Sequence, residues 1–233
     1  GGALFFELQS DNAYISDSNE ELINLYQIVR DNVYELITDL KKHDISKEYF
    51  MQIRNIDRTK EYQNWSDVKK ASRFIYLNRT CFNGLYRVNS QGQFNVPFGN
   101  YKNPRIVDEN NLINCSNLLQ KTEIRHADFS EILKIVKKGD FVYFDPPYIP
   151  LSETSSFTSY TKDGFDMDMQ FKLRDVCSEL NSMGVKFLLS NSDTKLINEL
   201  YGNYNIKKVF ASRNINANAD GRGKITEVLV RNY

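Results

Sequence analysis

Four residues, Asp145-Pro146-Pro147-Tyr148, directly follow the apolar strand pattern Phe141-Val142-Tyr143-Phe144, inside a longer alternation of strand and helix patterns. No other feature constrains this chain as tightly. Thr122–His126 reads as a strand, residues 130–138 as a helix and residues 140–144 as a buried strand. A helix over 167–183, a strand over 185–190 and a helix over 194–201 follow, then closing strands near 206–212 and 225–232. This order predicts an α/β architecture with a largely parallel sheet. Open sheets of that class bind ligands just beyond the carboxyl ends of their strands, and the tetrapeptide falls at such an end.

The first half has a different texture. Gly1 and Gly2 stand before a helix-like run, Ala3–Leu8, and a short strand over 13–16 ends in Asp17. Ser18-x-x-Glu21 has the form of a capping box. It opens a helix with apolar residues at 22, 23, 25, 26, 28 and 29, and a second helix is predicted over 33–42. Residues 46–82 stay helical and become basic, with Lys69, Lys70, Arg73 and Arg79 on one run. Residues 83–97 read as two short strands around a turn at 90–92, and a helix is expected over 108–119. The stretches 149–164 and 214–223 are polar loops.

The net charge of zero hides an asymmetry. Between Lys41 and Arg105 stand 13 Lys and Arg against 5 Asp and Glu, although the whole chain holds 30 of each. A basic segment inside an otherwise acidic chain is a footprint of nucleic-acid contact; a solvated helical face would look the same. The three cysteines, Cys81, Cys115 and Cys177, are scattered and odd in number, which argues against a disulfide framework. With His43 and His126 as the only histidines, no zinc-site spacing can be drawn. The apolar runs are far shorter than the ~20 residues that span a bilayer.

The tetrapeptide suits one kind of chemistry. An exocyclic aromatic amine is a poor nucleophile because its lone pair is delocalised into the ring. A carboxylate and a backbone carbonyl that accept its two N–H groups localise that pair toward an electrophile. Asp145 offers the carboxylate, Pro146 and Pro147 fix the local backbone, and Tyr148 offers a face for stacking a base. A rigid turn around a satisfied Asp is the plainer reading.

With these residues in view, the sequence resembles the DNA adenine-N6 methyltransferases of the Dam type, especially the methylases of GATC restriction–modification systems. Gly-Gly-Ala-Leu-Phe-Phe at the start is similar to the end of that family's F-x-G-G-G motif. Asn83 to Asn89 with Phe94 to Tyr101 resembles its target-recognition hairpin, Asp145 to Tyr148 its catalytic tetrapeptide, and Ser190-Asn191-Ser192 a later motif near the target base.

The resemblance implies a Rossmann-like, S-adenosylmethionine-dependent methyltransferase sheet carrying a mainly helical insertion. Residues 1–42 and 106–233 would form the catalytic domain, and 43–105 the target-recognition insertion with its hairpin. Asp145, Pro146, Pro147 and Tyr148 would be catalytic. Gly1, Gly2, Asp17, Asp128, Phe129 and Asp145 would hold S-adenosylmethionine; helix capping by Asp17 and Asp128 and a core position for Phe129 are the alternatives. Phe82, Asn83, Leu85, Arg87, Asn89, Pro97 and Tyr101 would contact DNA. In that set Arg87 would read a guanine, Leu85 and Pro97 would touch a thymine methyl, and Phe82 would fill the stack vacated by the flipped adenine. A core position is the other reading of Phe82.

The partner expected is double-stranded DNA containing GATC, for a monomer with no metal and no membrane, in the cytoplasm of a bacterium or phage host, beside a restriction endonuclease. The family's N-terminal K-W-x-G-G-K segment and the strand leading into F-x-G-G-G are not among the 233 residues. A sheet interrupted beside the strand that ends at Asp145 is therefore expected, and with it marginal stability and weak cofactor binding. Two other functions stay open at this point: an inactive DNA-binding module, and a transferase acting on another planar amine or amide, such as RNA adenine or glutamine.

Overall fold

The computed structural model describes residues 2–150, 165–212 and 224–233. They divide into two compact units, one reaching to Asp128 and the other starting at Phe129. The expected loops over 149–164 and 214–223 lie almost wholly outside the described residues.

In the first unit, helix α1 (Ala3–Leu8) precedes strand β1 (Ala13–Asp17), then α2 (Glu20–Asp31), α3 (Val33–Leu40), α4 (Lys47–Asn55), α5 (Lys60–Gln63), α6 (Asp67–Thr80), α7 (Glu109–Leu119) and β2 (Thr122–His126). β1 and β2 pair in parallel, with Ala13 opposite Thr122 and Asp17 opposite His126. Helices α2, α3 and α6 bury Leu22, Ile23, Leu36, Leu40 and Ala71 in one cluster with Leu119 and Ile124. Each fully buried Leu or Ile there contributes about 1.5–3 kcal/mol. A second cluster, Phe50, Tyr76, Leu77, Cys81, Phe94 and Val96, seats the hairpin region on α4 and α6.

Helix α2 corrects one expectation. Its N-cap is Asn19, whose side chain accepts from Leu22 N, not Ser18. The helix begins at Glu20, one residue later than the capping-box pattern places it, so the cap position falls to Asn19. Gly2 has φ +82°, and a Cβ there would lie 2.3 Å from the Tyr26 hydroxyl. Packing against α2 is enough to require glycine at that position.

The hairpin of residues 83–97 is narrower than expected. It consists of single bridges, Val88 to Phe94 and Cys81 to Phe98, plus a turn in which Gly92 N donates to Asn89 O. Gly99 lies so close to Cys81 O that a Cβ would stand 2.6 Å from it, which lets the second arm pack on the end of α6.

The second unit runs through a 3₁₀ turn (Phe129–Lys134), β3 (Phe141–Phe144), α8 (Met167–Ser182), β4 (Lys186–Ser192), α9 (Lys195–Leu200), β5 (Asn205–Ser212) and β6 (Lys224–Arg231). The helix expected over 130–138 is only that turn, because the chain bends at Gly139, φ +96°, to enter β3. The strand order is β3-β4-β6-β5. β3 and β4 are parallel, whereas β6 is antiparallel to both β4 and β5. Three of its four strands thus run in one direction, and β6 alone is inserted against them, so only one of the three pairings is parallel.

β3 is not a buried strand either: Val142 and Phe144 are buried, and Phe141 and Tyr143 are exposed at 44% and 37%. Alternation of that kind marks a strand covered on one face. Beneath it, Val142, Phe144, Leu173, Cys177, Leu180, Phe187, Leu189, Val228 and Val230 form the core. Among the described residues the strands form two sheets, β1-β2 in the first unit and β3-β4-β6-β5 in the second.

Candidate functional site

Asp145 is the first residue past β3. The register sets Phe144 opposite Leu189 in β4, so the next residues, Asp145 and Ser190, come level. Ser190 Oγ donates to Asp145 Oδ1 at 2.9 Å, and it lies 3.1 Å from the Tyr143 hydroxyl. A hydroxyl has one proton to give. Since the carboxylate can only accept, Ser190 gives its proton to Asp145 and receives one from Tyr143. Asp145 is itself exposed, and Ser190 is buried. Burial pushes the Tyr148 hydroxyl up to about 12, with the Asp145 carboxylate acting in the same direction. The phenol therefore stays protonated around neutral pH.

The backbone beyond Asp145 is tied down on two sides. Ile149 N donates to Asn191 Oδ1 at 3.0 Å, and the same oxygen accepts Ser192 N at 2.8 Å. From α8 the wholly buried Gln170 donates its amide to Pro147 O at 3.4 Å. Pro146, Pro147 and Tyr148 are half-buried.

In the first unit, Asp17 closes β1 and Asp128 follows β2. Both stand at the carboxyl edge of the same two-stranded sheet and both are half-buried. Asp17 Oδ1 accepts Asn19 N at 2.8 Å, and its backbone carbonyl accepts Ala127 N. Gly2 opens α1, and Gly1 lies outside the described residues. Phe129 belongs to the second unit, where its ring faces Phe165 at 5.9 Å and the Lys172 ammonium at 5.1 Å.

The hairpin presents most of the expected DNA-contacting residues to solvent. Phe82 is 45% exposed, so it is not a core residue. Asn83, with φ +55°, donates its backbone N–H to the Tyr101 hydroxyl at 2.9 Å. Pro97 and Arg87 are exposed, and Leu85 is half-buried. Arg87 Nε donates to Asn95 Oδ1 across the hairpin at 2.7 Å. Asn89 is spent on the turn, with Oδ1 accepting Gln91 N and Gln93 N and Nδ2 donating to Gln93 Oε1.

The family model of the D12 class N6 adenine-specific DNA methyltransferases matches residues 1–215. The chain belongs to that family. It is 50% identical to a type II methyltransferase of Lactococcus lactis subsp. cremoris, covering 100% of this chain and 84% of the relative. It is 44% identical to a type II methyltransferase of Methanocaldococcus jannaschii, over 100% and 85% of the two chains. A DNA adenine methylase of Vibrio cholerae is 33% identical over 98% and 82%.

Family membership makes the chain an adenine-specific DNA methyltransferase and removes the RNA and glutamine alternatives. Sequence reasoning gave no separate role to residues that touch the candidate site residues: Tyr143 and Gln170 beside the tetrapeptide, and Asn95 beside Arg87. Ser190 was noticed only through its motif. Its level with Asp145 comes from the β3–β4 register, which a single sequence does not display. Cys81, buried with its thiol pushed up to about 11 by burial, has the environment of a packed core residue. Among the described residues, no group of three or more His, Cys, Asp or Glu side chains could hold a metal ion, and no helix is long and apolar enough to cross a membrane.

Proposed function

We propose that this chain transfers a methyl group from S-adenosylmethionine to N6 of the adenine in GATC, on duplex DNA from which that adenine has been swung out of the stack. The observation that carries the reading is Asp145 at the end of β3, its carboxylate oriented by Ser190. Held in this way, the carboxylate accepts one N6–H of the adenine. A backbone carbonyl of the Pro146-Pro147 pair, whose direction the two rings fix, is the acceptor assigned to the second N–H. Tyr148, kept neutral, stacks on the base. With its lone pair localised by these acceptors, N6 would be directed toward the methyl group that S-adenosylmethionine would supply, and one N6 proton would depart to water.

S-adenosylmethionine, when bound, supplies the electrophilic methyl on its sulfonium. Asp17 and Asp128 fit it chemically: two carboxylates at one sheet edge suit a ligand rich in hydroxyl and amine donors. Gly1, Gly2 and Phe129 remain candidate contacts, although Tyr26 alone accounts for a glycine at position 2.

The hairpin is assigned to recognition. Arg87 reads a guanine, Leu85 and Pro97 meet a thymine methyl, Phe82 wedges into the stack, and Asn83 and Tyr101 brace it through their hydrogen bond. Residues 43–105 would then be the recognition insertion, with 1–42 and 106–233 the catalytic part. The enzyme is proposed to act as a monomer whose methyl marks block a companion restriction endonuclease.

Methyl transfer from labelled S-adenosylmethionine to a GATC duplex and its single-base variants tests the reading. Transfer confined to GATC is expected; comparable transfer to the variants would refute the assigned site.

A further inference from the structure

We propose that Arg73 is a positioning residue for sequence recognition: through two carboxylates it holds both arms of the hairpin and so aims Arg87 at its base. The inference rests on the reading of Arg87 as a base-contacting residue. Arg73 lies on α6 and is 1% exposed, although in sequence it belongs to the basic run. Its guanidinium is spoken for on every side. Nε donates to Ile53 O at 2.9 Å and Nη2 to Arg54 O at 3.0 Å. Nη2 also pairs with Asp57 Oδ2 at 2.6 Å and Nη1 with Glu21 Oε1 at 3.4 Å, while the Tyr62 ring covers it at 5.0 Å.

Each of the two carboxylates then grips one arm of the hairpin. Asp57 Oδ2 accepts the backbone N–H of Phe94 at 2.8 Å, and Glu21 Oε2 accepts the Tyr86 hydroxyl at 3.3 Å. Arg58 adds a bond to Phe94 O at 3.2 Å. The residues next in sequence to the two gripped positions are Asn95 and Arg87, which hydrogen-bond to each other at 2.7 Å.

The geometry has a physical reason. A two-arm turn joined by isolated bridges has little stiffness of its own, and its exposed Arg would sample many rotamers. A buried guanidinium with planar, fixed donors is suited to lock two carboxylates at once. Ion pairs of this sort are a weak source of net stability, and uniqueness of conformation is their better-supported use. Neither Arg73 nor Asp57 reaches a base itself; they act through the hairpin.

The test compares kcat/KM for methylation of the preferred duplex with that for duplexes changed at one guanine. The variants are Arg87→Ala, Arg73→Lys, Tyr86→Phe and the double variant Arg73→Lys/Arg87→Ala. Arg87→Ala should reduce discrimination at one base pair by about tenfold or more. Arg73→Lys and Tyr86→Phe should reduce it at the same base pair by roughly 3–10-fold, and the double variant should lose no more than Arg87→Ala alone.

Tyr86→Phe removes one hydroxyl from a residue that keeps its packing, so it remains informative should Arg73→Lys fail to fold. Unchanged discrimination in Tyr86→Phe, or in a folded Arg73→Lys, with Arg87→Ala still impaired, overturns the positioning role and leaves the reading of Arg87 intact. Unchanged discrimination in Arg87→Ala overturns the reading itself and the inference with it.

Discussion

The Ser190 hydroxyl donates to the Asp145 carboxylate across neighbouring parallel strands, 2.9 Å from Oγ to Oδ1. Asp145 is exposed at the sheet edge, and the buried hydroxyl is what gives it a fixed direction. Ser190→Ala should therefore lower kcat by about 10- to 100-fold while KM for DNA stays within twofold, since one neutral-to-charged hydrogen bond contributes about 1.5–3 kcal/mol. Steady-state kinetics on a hemimethylated GATC duplex measure this. An unchanged kcat would mean that Asp145 orients itself without help from β4.

Asn191 is predicted to act on stability. Its Oδ1 satisfies the backbone amides of Ile149 and Ser192 in a buried setting. Asn191→Ala strands both donors, at about 1–3 kcal/mol each. A chain of this size should lose roughly 2–4 °C in Tm per kcal/mol. A melting temperature within 2 °C of the parent would contradict the role assigned to that oxygen.

Phe82 should show the opposite pattern. It is 45% exposed, so Phe82→Ala is expected to change stability by no more than about 0.5 kcal/mol. On the wedge role proposed for Phe82, methyl transfer should slow several-fold. Base-analogue fluorescence at the target position should report less extrusion. A large stability loss with normal turnover would return Phe82 to a structural role.

His43 predicts a pH dependence. Burial pushes its pKa down to about 4; the ring stacks on Tyr76 at 4.3 Å and bonds Tyr49 and Ser72. Between about pH 6.5 and 4 the unfolded chain binds a proton at this site and the folded chain does not. Stability is therefore full above 6.5, falls on acidification through that window, and changes no further from this residue below 4. The total is about 3 kcal/mol. Urea denaturation at pH 7.5 and 5 should show a smaller acid-side loss in His43→Gln than in the parent. Equal losses would remove His43 as the cause.

Most of the strands, and the tetrapeptide at the end of one, were legible because period-two patterns bounded by turn residues survive in a single sequence. Partners across elements were not. Arg73 reads as one more positive charge beside Lys69, Lys70 and Arg79, yet its side chain is buried between Asp57 and Glu21; nothing local to residue 73 announces a carboxylate 52 positions upstream. Lys69 and Lys70 stay at the surface, over Trp65 and beside Asp67. Asn19 rather than Ser18 caps the helix because the helix begins at Glu20, one residue later than the capping-box pattern places it. The helix expected after Asp128 shrank to a 3₁₀ turn, since helical spacing over so short a stretch does not outweigh the bend into β3.

The central claim is that Asp145 acts on the adenine amine. The most direct measurement is the single-turnover rate of N6-methyladenine formation in a hemimethylated GATC duplex by the parent and by Asp145→Asn, with duplex affinity measured alongside. The account predicts a fall of about 10²–10³ in rate, the scale of losing one preorganised electrostatic contact, with duplex affinity changed by no more than a few-fold. A rate within tenfold of the parent at equal affinity would contradict it.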